Sequence, residues 1–121
     1  MTENRHLACM LRDGERLICV DPSLPLLRVL GKKDSILILG VIGNELGKRN
    51  FNEILRDVPG SSSTLVSKRL KELQNSGLIR RIEGDLVTYE LTELGRRIRE
   101  TLLPFFAAIE KESMNHSSTN L

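Results

Sequence analysis

Residues 59–91 read PGSSSTLVSKRLKELQNSGLIRRIEGDLVTYEL, and this stretch decides the fold. Pro59-Gly60 makes a tight turn. Ser61, Ser62, Ser63 and Thr64 follow, and their hydroxyls suit a helix start because they accept backbone N–H groups that have no partner in the first turn. Val66, Leu70, Leu73 and Gly77 then recur at spacings of four, three and four. That spacing predicts one buried face of an amphipathic helix over about 62–76. Asn75-Ser76-Gly77 stops it, with Gly77 free to take the left-handed conformation. Two strand-like runs, 78–82 and 86–91, flank a turn at Glu83-Gly84-Asp85. A capped helix, a glycine stop and a hairpin wing form the reading half of a winged helix-turn-helix.

The charge is concentrated in the same place. Residues 61–82 carry Lys68, Arg69, Lys71, Arg80 and Arg81 against Glu72 alone, while the whole chain is only +2. A local positive patch on a near-neutral chain is the footprint of a nucleic-acid surface, although charge by itself also describes an ordinary solvated helix face.

Upstream, Phe51, Ile54, Leu55 and Val58 make one apolar face of a short helix that ends at the Pro59-Gly60 turn. This gives helix–turn–helix order, with the first helix bracing and the second reading. Before it, ILILGVI opens a helix over about 36–46 that is apolar on every side and is predicted to be the buried centre. Asp34-Ser35 should cap that helix and Gly47 should end it. Gly40 and Gly43 inside it should let a neighbouring helix come close, offsetting part of the ~1 kcal/mol each costs against Ala. Leu24, Leu27 and Leu30 predict a short first helix that stops at Gly31.

The two ends lie outside this core. Two apolar runs within residues 6–20 flank Asp13-Gly14, a hairpin signal. A two-residue loop sets Cys9 opposite Ile18 and puts Cys9 and Cys19 on opposite faces; a three-residue loop sets the two cysteines against each other. The sequence leaves both registers open. His6, Cys9 and Cys19 have poor zinc spacing, so the cysteines are expected to be buried apolar thiols rather than ligands or a bridge. At the other end Leu94, Ile98, Leu102, Phe105, Phe106 and Ile109 mark a last helix, which Pro104 should kink or divide near Leu103. Residues 113–121 are polar and are expected to be a disordered tail in which His116 is solvated.

Taken together, FNEIL, PGSSSTLVSKRLKELQNSGLIRR, YELTELGRRI and the Leu103-Pro104 pair resemble the HxlR-type winged-helix transcriptional regulators, relatives of the MarR group. The resemblance covers about 21–111. It departs at four places, one of them a loop before Phe51 slightly longer than the family's. Asp21-Pro22 stands where the family usually has Cys-Pro, the position through which some members sense oxidants. Lys32-Lys33-Asp34 follows Gly31 where the family has Gly-Gly-Lys-Trp. The wing is short with an acidic tip.

The resulting expectation is a mainly α protein with a small β-hairpin wing. Residues 1–20 form a hairpin extension, 21–92 the winged helix-turn-helix, 93–112 a dimerisation helix and 113–121 the tail. The resemblance implies a dimeric DNA-binding regulator whose operator is an inverted repeat. Ser62, Ser63, Thr64, Ser67, Lys68 and Lys71 should meet double-stranded DNA from the reading helix. Arg80 and Arg81 sit on the wing's first strand, where neighbouring side chains point to opposite faces, so only one should face a phosphate fully. Leu94, Ile98, Leu102, Phe105, Phe106 and Ile109 should form the homodimer interface, because they present more apolar area than a small domain covers alone; the alternative is that both ends fold back on their own domain.

A winged helix used for protein–protein contact is the competing reading, and it predicts no salt-sensitive DNA affinity. Enzyme activity is not expected, since there is no His-rich cluster, phosphate loop or nucleophile elbow. No cofactor is called for, and a small-molecule effector stays open as a partner whose identity the sequence does not give. No run of residues reaches the ~18 apolar positions of a membrane span and no signal segment is evident, so the expected location is cytoplasmic.

Overall fold

The computed structural model describes residues 8–44 and 48–119, with side chains as far as Met114. In chain order the elements are β1 (Cys9–Asp13), β2 (Arg16–Val20), α1 (Pro25–Leu30), α2 (Ser35–Ile42), β3 (Lys48–Asn50) and α3 (Phe51–Asp57). Then come α4 (Ser63–Asn75), β4 (Ile79–Ile82), β5 (Thr88–Leu91) and α5 (Glu93–Thr119). The expected α+β winged helix-turn-helix is the architecture found.

Ile38, Leu39 and Ile42 of α2 are fully buried at the centre. Ile54 of α3, Val66, Leu70 and Leu73 of α4, and Leu78, Ile79 and Leu91 of the wing close around them. Each fully buried Leu or Ile contributes about 1.5–3 kcal/mol relative to exposure. The helix α2 is shorter than its sequence suggested, ending at Ile42 with Gly43 as its cap. Asp34 precedes it in the left-handed region, φ 67°, and makes no side-chain cap. The expected stop at Gly47 lies outside the described residues, as do His6 and the side chain of His116.

A strand that the sequence did not announce, β3, pairs antiparallel with β5, so the sheet order is β3-β5-β4. Lys48-Arg49-Asn50 has no apolar alternation; its extended form is set by the ladder it joins, Arg49 opposite Tyr89 and Asn50 opposite Thr88. Asn50 then caps α3. Its side chain accepts from the Glu53 backbone N–H while the Glu53 carboxylate accepts from the Asn50 N–H, both at 2.9 Å.

The N-terminal hairpin forms, with a register that matches neither expectation. Gly14-Glu15 is the loop, and Cys9 faces Val20 while Met10 faces Cys19. Gly14 takes φ +63° at the first loop position, where a tight hairpin loop favours glycine. Cys9 and Cys19 do lie on opposite faces. Both are exposed, contrary to the burial expected of them, because every residue of β1 is exposed and β2 is at most half-buried.

The last helix also differs. Pro104 lies inside α5 without dividing it. Proline removes one backbone donor, and the bonds on either side suffice to carry the helix past it. The segment expected to be a disordered tail is helical through Thr119, and Asn120 and Leu121 lie outside the described residues. Leu94, Ile98 and Leu102 pack against the chain's own core. Phe106 lies over Gly40, where a Cβ would come within 3.4 Å of its ring. Phe105 and Ile109 remain 48% and 49% exposed. The close helix approach expected at Gly40 and Gly43 is made by α5.

Candidate nucleic-acid interface

The reading helix begins as its serines predicted. Ser62 is the N-cap, its hydroxyl accepting from the Leu65 N–H at 3.1 Å. That bond occupies Ser62 in holding the helix start, so the next residues, Ser63 and Thr64, present the free hydroxyls. Gly77, φ +78°, is exposed rather than part of the buried face and turns the chain into β4. Thr92 ties the wing exit to this stop: its hydroxyl donates to the Gly77 carbonyl at 2.6 Å and accepts from the Gly95 N–H at 3.0 Å.

Val66, Leu70 and Leu73 face the core, which leaves Ser63, Thr64, Ser67, Lys68 and Lys71 exposed on the opposite side. These five, together with Phe51 from the start of α3, line an open cleft of about 550 Å³. The sequence placed the five on one surface; Phe51 was read there as core only. It does pack against the core, partly buried, and it also forms the apolar wall of this cleft. Its position inside an Asn-x-x-Glu cap, at the first residue of the bracing helix, was the available signal.

Arg69 does not belong to the exposed patch. It is 9% exposed, with Nε donating to the Lys33 carbonyl at 2.8 Å and a guanidinium nitrogen donating to Glu72 at 2.9 Å. The sequence counted it among the surface charges. Its spacing, three after Val66 and four before Leu73, puts it on the buried stripe. Glu72 also accepts from Lys32 at 2.7 Å. That hydrogen bond, assisted by Arg69, holds the Glu72 carboxyl below its ordinary range. A buried fork thus fastens the reading helix to the turn before α2.

The wing arginines are both partnered. Arg80 pairs across the ladder with Glu90 at 2.6 Å, and Arg81 pairs with Glu83 two residues along. The Glu83 carboxylate, with Tyr89 adding a second hydrogen bond, keeps Arg81 more firmly protonated than usual. Strand alternation does separate the two side chains, and each then meets an acid on its own side. Neither arginine is the single uncompensated cation expected of this strand, whereas Lys68 and Lys71 have no ion pair among the described residues.

A family model described as HxlR-like helix-turn-helix matches residues 29–117. The chain belongs to the HxlR-like helix-turn-helix family. Among solved structures it is similar to one described as a possible HxlR family transcriptional factor from Thermoplasma volcanium GSS1, at 44% identity over 88% of this chain and 98% of that one, with a TM-score of 0.84. A protein assigned to the MarR family of regulators from Porphyromonas gingivalis W83 is 28% identical over 86% of this chain and 95% of its own, TM-score 0.59. The reduced form of the transcriptional regulator YodB from B. subtilis is 28% identical over 71% and 82%, TM-score 0.55. No curated protein matches. This HxlR-like protein is a DNA-binding transcriptional regulator. Among the described residues no helix is long and apolar enough to cross a membrane.

Proposed function

We propose that this HxlR-like regulator binds an inverted-repeat operator as a homodimer, with α4 of each copy in a major groove and the wing beside the backbone. The observation that carries this reading is the outward face of α4. Three hydroxyls and two uncompensated ammonium groups stand together on one rigid helix, opposite its buried stripe and beside an open cleft. Hydroxyls reach base edges or phosphates, and lysines neutralise phosphates. Ser63, Thr64, Ser67, Lys68 and Lys71 are the contacting residues. Ser62 acts as the cap that aims them, and Arg80 and Arg81 approach phosphate while sharing their charge with Glu90 and Glu83.

One such module has few contacts, and two copies held at fixed spacing gain affinity without any new contact. Pairing runs through the second half of α5, where Leu103, Phe105, Ile109 and Met114 are all exposed. Leu94, Ile98 and Leu102 support that surface from the core side. At 27 residues α5 is about 40 Å long, enough to extend past the domain it packs on. A two-fold pair sets its reading helices about 34 Å apart, one turn of DNA.

Sedimentation of the full-length chain beside a chain truncated after Leu103, each followed by titration with duplex DNA, tests both parts. The full chain should be dimeric at micromolar concentration and the truncated one monomeric and weaker on DNA. A full-length monomer, or a truncated chain that still dimerises and binds equally well, refutes the interface. Duplex affinity insensitive to salt refutes the DNA surface.

A further inference from the structure

The cleft beside α4 has one wall that its proposed role in DNA binding does not explain. Ser63, Thr64, Ser67, Lys68 and Lys71 suit phosphates and the hydrogen-bonding edges of bases, but the side chain of Phe51 suits neither. An aromatic ring offers nothing to an anion and leaves a base's donors and acceptors unpaired. The apolar group that double-stranded DNA presents in the major groove is the 5-methyl of thymine.

We infer that Phe51 is a specificity-determining residue that reads a thymine methyl through this cleft. The inference rests on α4 being the helix that enters the groove, and it adds a contact from the bracing helix. The ring's position is fixed from two sides. Phe51 packs, partly buried, against the core, and it is the first helical residue within the reciprocal Asn50–Glu53 cap. The charge of the cleft fits the same occupant: Lys68 and Lys71 border it and have no acid partner among the described residues, so a base edge held there would have its own strand's phosphates near both ammonium groups. An apolar contact of this kind selects thymine over cytosine and over uracil without a hydrogen bond.

Purified full-length protein is used to enrich binding sequences from a random duplex library. Each thymine of the enriched duplex is then replaced in turn by deoxyuridine, which deletes only the methyl group. One thymine in each half of the site should lose about fourfold in affinity, the worth of one buried methyl-sized group, while the other replacements stay neutral. With 5-bromodeoxyuridine at that thymine, irradiation should crosslink the base to Phe51 of the unaltered protein, so the assignment does not depend on a variant that folds. An enriched motif without thymine, indifference to deoxyuridine at every position, or an adduct on another residue overturns the inference and leaves α4 as the reading helix. Failure to enrich any duplex overturns both.

Discussion

Arg99 of α5 crosses to the end of α2 and occupies the space where a side chain on Gly43 would stand. Its Nε donates to the Gly40 carbonyl at 2.7 Å and a terminal nitrogen donates to the Asn44 side-chain oxygen at 2.9 Å. The last carbonyls of a helix have no partner within it, and here an arginine from another helix supplies one. A Cβ at Gly43 would overlap this guanidinium. Gly43→Ala should therefore destabilise the fold by about 1–3 kcal/mol in urea titration, through the lost bonds rather than through the backbone, whose φ of −80° suits alanine. Arg99→Ala should cost a similar amount. In the double variant the second change should add almost nothing, and additive losses would contradict the shared mechanism.

Gly95 is a harder constraint. A Cβ there would overlap the backbone carbonyl of Leu78, which already accepts the Thr92 N–H at 3.1 Å. A carbonyl in a strand approach cannot rotate aside as an arginine side chain can. Gly95→Ala should lose at least about 2 kcal/mol and loosen the wing exit, whereas Gly84→Ala at the wing tip should stay within about 0.5 kcal/mol. Thermal unfolding of the two variants side by side is the check.

Salt titration separates the two sets of cations. Removing Lys68 or Lys71 should lower the slope of log affinity against log salt by about 0.9 each, one released counterion per uncompensated charge. Arg80→Ala or Arg81→Ala should lower it by less than about half of that, because each change also frees a carboxylate, Glu90 or Glu83, that the arginine had neutralised. A full-unit fall from a wing arginine would mean that its acid partner is displaced on binding.

Glu72 makes stability depend on pH. Its carboxyl is held below the ordinary value of 4.5 by hydrogen bonds from Lys32 and then Arg69. A depressed carboxylate stabilises the folded state above its unfolded pKa, and that contribution is lost as pH falls through the folded value. Urea midpoints should thus be flat from neutral pH down to about 5 for this group and decline below it. Glu72→Gln should be less stable at neutral pH and show a shallower decline in acid. An unchanged acid limb in that variant would remove Glu72 from the account.

Cys9 and Cys19 lie on opposite faces of an exposed hairpin, a geometry that prevents a bridge between them within one chain. Both should react with a thiol reagent under native conditions without unfolding. DNA affinity should be equal after mild peroxide and after reduction, and a reversible loss that disappears in Cys19→Ser would overturn this expectation.

What the sequence revealed was what local chemistry controls. The Ser62 cap, the Gly77 turn and the Val66-Leu70-Leu73 stripe are contained within a few residues of one another, and each was found in place. β3 escaped because three polar residues become a strand only through Thr88–Glu90 opposite them. The fate of Arg69 escaped for a similar reason: its partner, the Lys33 carbonyl, lies 36 residues away. The hairpin loop moved on by one residue, and the pairing of Cys9 by two, from Ile18 to Val20, because Gly14, rather than Asp13, took the left-handed first position. In the reading surface, residues on a single helix face were legible together, whereas Phe51 entered from a different helix and was visible only once the two had packed.

The paired arginines of the wing bear on how strongly the protein holds to DNA of any sequence. Bulk chromosomal DNA holds a regulator in proportion to the loose positive charge it offers, since each neutralised phosphate strengthens attachment to any sequence. With Arg80 facing Glu90 and Arg81 facing Glu83, the wing adds little to that general stickiness. That attachment then rests mainly on Lys68 and Lys71, the same two charges that stand beside the hydroxyls of α4, so the helix rather than the wing sets how tightly unrelated sequence is held.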